Sequence, residues 1–221
     1  MPRESYYQHL RQLQDELLVL GNMVDKAIGR SVSALKERDL ELAQQVVEED
    51  TAIDCKCREV EEKCVQLIVT QQPVAGDLRL ILSIIHLLDE LERMGDHAEG
   101  IAKIAIMIGD EPPLKPLIDI PRMAEQTRDM LRRSLKAFVD RDMGAAIAIN
   151  AEDDIVDGLY DQIYRELLTF MMEDPRTITR ATRLIWVGHN LERCADRVTN
   201  ICERTVYLIS GRIDHIRPST Y

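Results

Sequence analysis

The chain has 221 residues, 45% of them hydrophobic and 30% charged, with a formal net charge of −11. That length and apolar content supply a packed core and exclude a disordered tail, and the acidic excess repels phosphate backbones and anionic lipid, setting direct nucleic-acid binding aside. Aromatic residues make up only 4%, while Leu, Ile, Ala, Glu and Arg are plentiful, so the expected class is all-α, built from long packed helices.

The N-terminus, MPRESYYQHLRQLQ, lacks a basic head followed by an apolar stretch, so no secretory signal is expected and the protein is placed in the cytoplasm. Leu10, Leu13, Leu17, Leu20, Val24, Ala27, Ser31 and Leu35 then follow alternating three- and four-residue steps, the seam of a first helix. Asp39 is positioned to cap a second, whose seam runs Leu42, Val46, Ile53, Cys57, Val60, Cys64 and Leu67 and which ends before Pro73. After QQPVAGD a third presents Ile81, Ile84, Leu88, Leu91, Gly95, Ala98, Ala102 and Ala105. Its apolar run LRLILSIIHLLDEL contains Arg79, His86 and two acids within 14 residues. A bilayer span needs about 20 apolar residues, so this run predicts a buried helix and no membrane insertion. Three helices with one apolar stripe each bury those stripes against one another, as a bundle.

Pro112, Pro113, Pro116 and Pro121 cluster in DEPPLKPLIDIP, while Pro73 and Pro175 stand alone and Pro2 and Pro218 lie near the ends. The cluster predicts a linker over 111–121 between a first bundle, 1–110, and a second, 122–221. The second half repeats the first. A shift of 103 carries Ile53, Cys57, Val60, Cys64 and Leu67 onto Val156, Tyr160, Ile163, Leu167 and Phe170. A shift of 100 carries LERMGDHAEGIA, Leu91–Ala102, onto LERCADRVTNIC, Leu191–Cys202; the three lost residues are assigned to the turns at Pro73 and Pro175. The expectation is two tandem three-helix bundles with six long helices. Five cysteines, Cys55, Cys57, Cys64, Cys194 and Cys202, fall within helical patterns without CxxC spacing and read as reduced, partly buried thiols.

Four acidic pairs recur, each with four-residue spacing: Asp50/Asp54 and Glu92/Asp96, then Asp153/Asp157 and Glu192/Asp196. The spacing stacks both carboxylates of a pair on one helix face, beside the apolar seam. Two facing pairs repel: at ~5 Å and an effective dielectric of about 20, each like pair costs about 3 kcal/mol. Either Arg93 and Arg193, one step along, fold back as ion-pair partners, or a cation binds. Four carboxylates from neighbouring helices form an oxygen-only set that suits hard or borderline cations. No histidine repeats within the motifs, since His97 is matched by Arg197, and Glu-x-x-His is absent, which argues against a ferritin-like di-iron site. His97 reads as a supporting group, His86 and His189 as partly buried helix residues. The chain has no P-loop, no G-x-G-x-x-G, no H-E-x-x-H and no G-x-S-x-G, so an enzyme is not the expected reading.

QQPVAGDLRLIL, ELERMGDHAEGIA and EDPRTITRATRLIWVGHNLERCADRVTNICE, taken with the two-fold repeat, resemble the PhoU family over nearly the whole chain. The resemblance implies two similar three-helix bundles. It also implies a cytoplasmic negative regulator of phosphate uptake and of the phosphate-starvation response, peripheral at the inner membrane through its partners. Those partners are the ATPase subunit of an ABC-type phosphate transporter and a phosphate-sensing histidine kinase in a signal-transduction pathway. It further implies metal clusters on E/D-x-x-x-D motifs, here Asp50, Asp54, Glu92 and Asp96 in one half and Asp153, Asp157, Glu192 and Asp196 in the other, with iron, zinc, manganese or magnesium as candidate ions. The family phrase continues with an asparagine, present as Asn200 but replaced by Gly100 in the first half; if that amide holds a ligand or water, the first site is weakened. Met23, Met107 and Met130 on secondary stripes leave a homodimer open beside ordinary core packing. The rivals are a carboxylate-bridged metalloenzyme, which predicts turnover by the metal-loaded protein, and a purely structural scaffold with solvated acids.

Overall fold

The computed structural model describes residues 3–212, and among these the only secondary structure is helical. The first half folds as α1 (Arg3–Glu37), α2 (Leu40–Gln71) and α3 (Ala75–Ile108). The second folds as α4 (Asp119–Asp140), α5 (Met143–Asn150), α6 (Asp153–Glu173), a 3₁₀ turn (Pro175–Thr177) and α7 (Ile178–Ser210). The expected six long helices are present, with the fifth interrupted at Ala151 and Glu152, which separate α5 from α6. Pro121 lies inside the first turn of α4, where its missing N–H has no intrahelical partner to lose. Pro2 and Pro218 lie outside the described residues.

The repeat extends into the turns. Asp39 caps α2 by accepting from the backbone N–H of Leu42 at 2.9 Å, and Asp142 caps α5 by accepting from that of Ala145 at 2.9 Å. Arg38 and Arg141, the residues before these caps, both take the left-handed conformation, with φ of 59° and 54°. Both features are separated by the shift of 103 that relates the two seams.

The predicted seams are largely the observed core. Every seam residue of α2 except half-buried Leu42 is buried, as are all eight of α3. In α1 the stripe drifts, and Ile28 and Val32 join the core while Ala27 is half-buried. This is the slippage expected when a straight helix of 3.6 residues per turn meets a seam of period 3.5. Met130 is fully buried and Met23 half-buried, so of the three methionines only Met107, 57% exposed, offers surface.

One stripe per helix is too few for α3. Leu80, Leu87, Glu90, Met94 and Ile101 are buried on it as well, because α3 packs on α7 in addition to α1 and α2. Contacts pair Arg79 with Leu208, Glu90 with Asn200, Met94 with Cys194 and His97 with Asn190, so α3 and α7 run antiparallel. On the other side α1 packs on α4, where Arg128 and Arg132 hold buried Asp25. Met94 and Cys194 are repeat equivalents, and so are Asp25 and Arg128, which puts an approximate two-fold axis through both crossings. The helices α1, α3, α7 and α4 thus close a ring, flanked by α2 on one side and by α5 and α6 on the other, around one continuous hydrophobic core. The connection over residues 109–118 is tied down by buried Lys115, which pairs with Glu166 of α6 and Asp119 of α4.

Candidate functional site

In the first half α2 carries Asp50 and Asp54 against Glu92 and Asp96 of α3. Gly95 permits the approach: a Cβ there would lie 3.2 Å from Asp50 Oδ1 and 3.2 Å from Ile53 Cγ2. Burial, then the charges of Glu99, Asp54 and Asp96, push the Asp50 carboxyl up to about 6, with Lys103 opposing. Burial and the charges of Asp54 and Asp96 also raise Glu92, against the pull of Arg93. Asp54 and Asp96 therefore act electrostatically on both Asp50 and Glu92. Glu99 joins them and was not anticipated, although it stands three residues beyond Asp96 on the same face; its partner is Lys103, at 2.6 Å.

In the second half Asp153 opens α6, Asp157 follows one turn on, and Glu192 and Asp196 face them from α7. Burial, then Asp157, Asp196, Glu192 and Asp154, push Asp153 up to about 7. Burial and Asp196 push Glu192 up to about 7, with Arg193 opposing and Asp157 adding to the rise. Asp157 is raised by burial and then by Asp196, Asp154 and Asp161. Among the described residues, Asp153 Oδ1 and Glu192 Oε2 are buried without a hydrogen-bond partner. Arg193 does fold back, 2.6 Å from Asp196 Oδ2. His189, set aside on sequence, lies with Nδ1 3.5 Å from Glu192 Oε2.

The remaining supporting residues lie elsewhere. Arg93 is exposed. His97 stands 3.0 Å from Asn190 Oδ1 through Nδ1, and burial lowers its pKa. Asn200 donates to buried Glu90 at 3.1 Å, a residue also approached by Arg197 at 3.4 Å and His86 at 3.5 Å. The departure at Gly100 has its reason here: a Cβ would stand 3.3 Å from Asn190 Oδ1, so Gly100 makes room for the residue that replaces Glu90 in the second half. The structure thus brings Asn200 to the α3–α7 seam and not to the carboxylates.

A repeated bracket was missed. Arg30 of α1 pairs with Glu49, the residue before Asp50, and Arg133 of α4 pairs with Glu152, the residue before Asp153. Both members of each pair are related by the shift of 103, a signal available in the sequence.

The donor set in each half is carboxylate oxygen, which suits a hard cation, and buried acid oxygens without a donor are what such a cation would satisfy. As the side chains stand, no three His, Cys, Asp or Glu among the described residues converge on one point, so the acids form open groups. The cysteines lie apart from this chemistry: Cys55 is exposed, the other four buried, and burial pushes Cys57, Cys64 and Cys202 up to about 12. No described helix is long and apolar enough to cross a membrane.

A family model described as the PhoU domain matches residues 17–105 and again 120–205. The chain is 39% identical over 207 residues to a phosphate-specific transport system accessory protein PhoU homolog from Aquifex aeolicus, covering 94% of each chain. It is 38% identical over 213 residues to the homolog from Clostridium acetobutylicum, covering 96% of this chain and 97% of that one. Among solved structures it resembles PhoU from Pseudomonas aeruginosa at a TM-score of 0.88 and 37% identity, covering 94% of this chain and 100% of the other. The phosphate transport system regulatory protein PhoU from Streptococcus pneumoniae gives the same TM-score, 0.88, at 31% identity, covering 95% of this chain and 99% of the other.

Proposed function

The chain belongs to the PhoU family, and from that footing we propose that it is an accessory protein of phosphate transport that works as a cytoplasmic negative regulator of phosphate uptake and of the phosphate-starvation response. The observation that carries this reading is the match of both halves to the family over nearly the full length of relatives named for that accessory role. Its proposed partners are the ATPase subunit of the transporter, which holds it at the inner membrane peripherally, and a phosphate-sensing histidine kinase. A second copy of the chain is a further proposed partner, through apolar surface such as Met107 and Trp186, 57% and 51% exposed; a monomeric mass in sedimentation velocity removes it.

Within this role Asp50, Asp54, Glu92 and Asp96 would hold one cation site and Asp153, Asp157, Glu192 and Asp196 the other. A bound cation would reverse the local sign of a surface that otherwise repels phosphate and acidic partners. Support comes from the grouping of all eight predicted acids into two sets and from the buried oxygens of Asp153 and Glu192 that accept no hydrogen bond.

The test is alkaline phosphatase activity in phosphate-rich medium, in a deletion strain carrying wild type or Asp96→Asn/Asp196→Asn at matched protein levels. Activity silenced by the wild type and released by the double variant is expected. If deletion leaves the activity unchanged, the regulatory reading fails; if both versions silence it, these two carboxylates have no part in it.

A further inference from the structure

We propose that Arg133 is a positioning residue for the second carboxylate group, acting through Glu152 on the backbone that presents Asp153, and that its counterpart Arg30 has no comparable task. The inference rests on the cation reading given above.

The two brackets are equivalent in sequence but not in strength. Arg30 makes its ion pair through one guanidinium nitrogen to Glu49 and uses another on Gln45 Oε1, at 3.0 Å. Arg133 grips both oxygens of Glu152, with Nη1 2.8 Å from Oε1 and Nη2 on Oε2, while its Nε donates to Asp129 at 2.6 Å. Gln126 adds a fourth bond, to Glu152 Oε2 at 2.9 Å. A guanidinium on both carboxylate oxygens fixes orientation as well as distance, which a single contact does not.

The backbone explains the need. Asp50 lies inside α2, an unbroken helix of 32 residues, so the helix itself sets where Asp50 and Asp54 point. Asp153 is the first residue of α6, directly after the interruption at Ala151 and Glu152. Glu152 makes no side-chain cap of its own helix; its carboxylate is bound to α4 instead. Holding Glu152 against α4 therefore fixes the start of α6, and with it the placing of Asp153 and Asp157 opposite Glu192 and Asp196. Outer contacts of this kind set ligand geometry, and their loss lowers metal affinity by about 10–100-fold.

The experiment is calorimetric titration with Mn²⁺ in two backgrounds: Asp50→Asn/Asp96→Asn, which leaves the second group intact, and Asp153→Asn/Asp196→Asn, which leaves the first. Arg133→Ala is expected to weaken Mn²⁺ binding about 10–100-fold in the former and less than about twofold in the latter. Arg30→Ala is expected to change neither by more than about twofold. Arg133→Lys, which loses the double grip, should fall between wild type and Arg133→Ala, and the exchanged pair Arg133→Glu/Glu152→Arg should recover most of the affinity. Those two variants decide the matter should Arg133→Ala fail to fold. Unchanged affinity in the second-group background, or an equal loss in both backgrounds, overturns the proposal. Absence of Mn²⁺ binding by the wild type overturns the cation reading and this inference with it, whereas wild-type binding that is indifferent to Arg133 overturns the inference alone.

Discussion

Arg128→Ala isolates what holds the two halves together. Asp25 on α1 is 6% exposed and accepts from Arg128 Nε and Nη2 at 3.0 Å each and from Arg132 Nη1 at 3.1 Å. Removing one partner of a buried ion pair costs about 3–5 kcal/mol, because the other charge stays buried without compensation. Arg132 remains on Asp25, but its side chain is 44% exposed and its single contact is screened by water, so the expected loss is about 2–3 kcal/mol. For a chain of this size each kcal/mol lowers Tm by about 2–4 °C, which predicts a drop of about 4–12 °C followed by circular dichroism at 222 nm. Exchanging the pair, Asp25→Arg/Arg128→Asp, should recover part of that loss, whereas Asp25→Arg alone should be worse than Arg128→Ala because it buries like charges together. A loss below about 0.5 kcal/mol on Arg128→Ala, the range of an exposed pair, would refute the claim that this contact ties the halves together.

The carboxylate groups predict an inverted pH response in metal-free protein. Asp50, Asp153 and Glu192 have folded pKa values of about 6, 7 and 7, above the ordinary carboxyl range. The folded state therefore binds more protons than the unfolded one between those limits, and the contribution of these groups falls as pH rises from about 4 to 7. Asp153→Asn/Glu192→Gln should raise Tm at pH 7.5 more than at pH 5, and an equal change at both refutes the assignment. Mn²⁺ at a hundredfold excess over the Kd of each site should stabilise wild type by about 2.7 kcal/mol per site, about 5 kcal/mol with both filled, in denaturant unfolding, and the gain should vanish when Asp54, Asp96, Asp157 and Asp196 are all changed to Asn. Gly95→Ala gains about 1 kcal/mol of helix propensity against an overpacking cost of about 1–3 kcal/mol where its Cβ meets Asp50 and Ile53 at 3.2 Å, so a net loss of about 0–2 kcal/mol is expected; a more stable variant in the same assay counts against the close α2–α3 approach.

Most of the fold was legible because its signals are local. Apolar spacing marks the helices, Asp39 marks a start, and a shift of 103 or 100 marks the repeat. The join between halves was not legible, because a second buried stripe on α3 made of Leu80, Leu87, Met94 and Ile101 looks in sequence like ordinary helix hydrophobicity; only a partner helix reveals it as an interface. The break at Ala151 and Glu152 carries no proline or glycine and was equally silent. At the candidate site the eight acids were found by spacing. Glu99 was passed over because its second-half counterpart is Thr199, and Arg30 with Arg133 because their partners lie on the next helix, where no spacing rule links them.

The positions that repeat and those that differ follow one physical logic. Where the halves face away from each other the same residue types recur: paired carboxylates, their arginine brackets and the aspartate caps. Where they meet at the two-fold axis the equivalents differ in charge or size, with Asp25 against Arg128, Glu90 matched by Asn190, His97 by Arg197 and Gly100 by Asn200. Two first halves meeting by the same geometry would set Asp25 against Asp25, and two second halves would set Arg128 against Arg128, each a buried like-charge contact. Unlike halves instead form the Asp25–Arg128 and Glu90–Arg197 pairs, and Gly100 leaves room for Asn190. The differences thus make the halves complementary while leaving the carboxylate groups alike, so one closed ring of four helices carries two related acidic groups, one on each side.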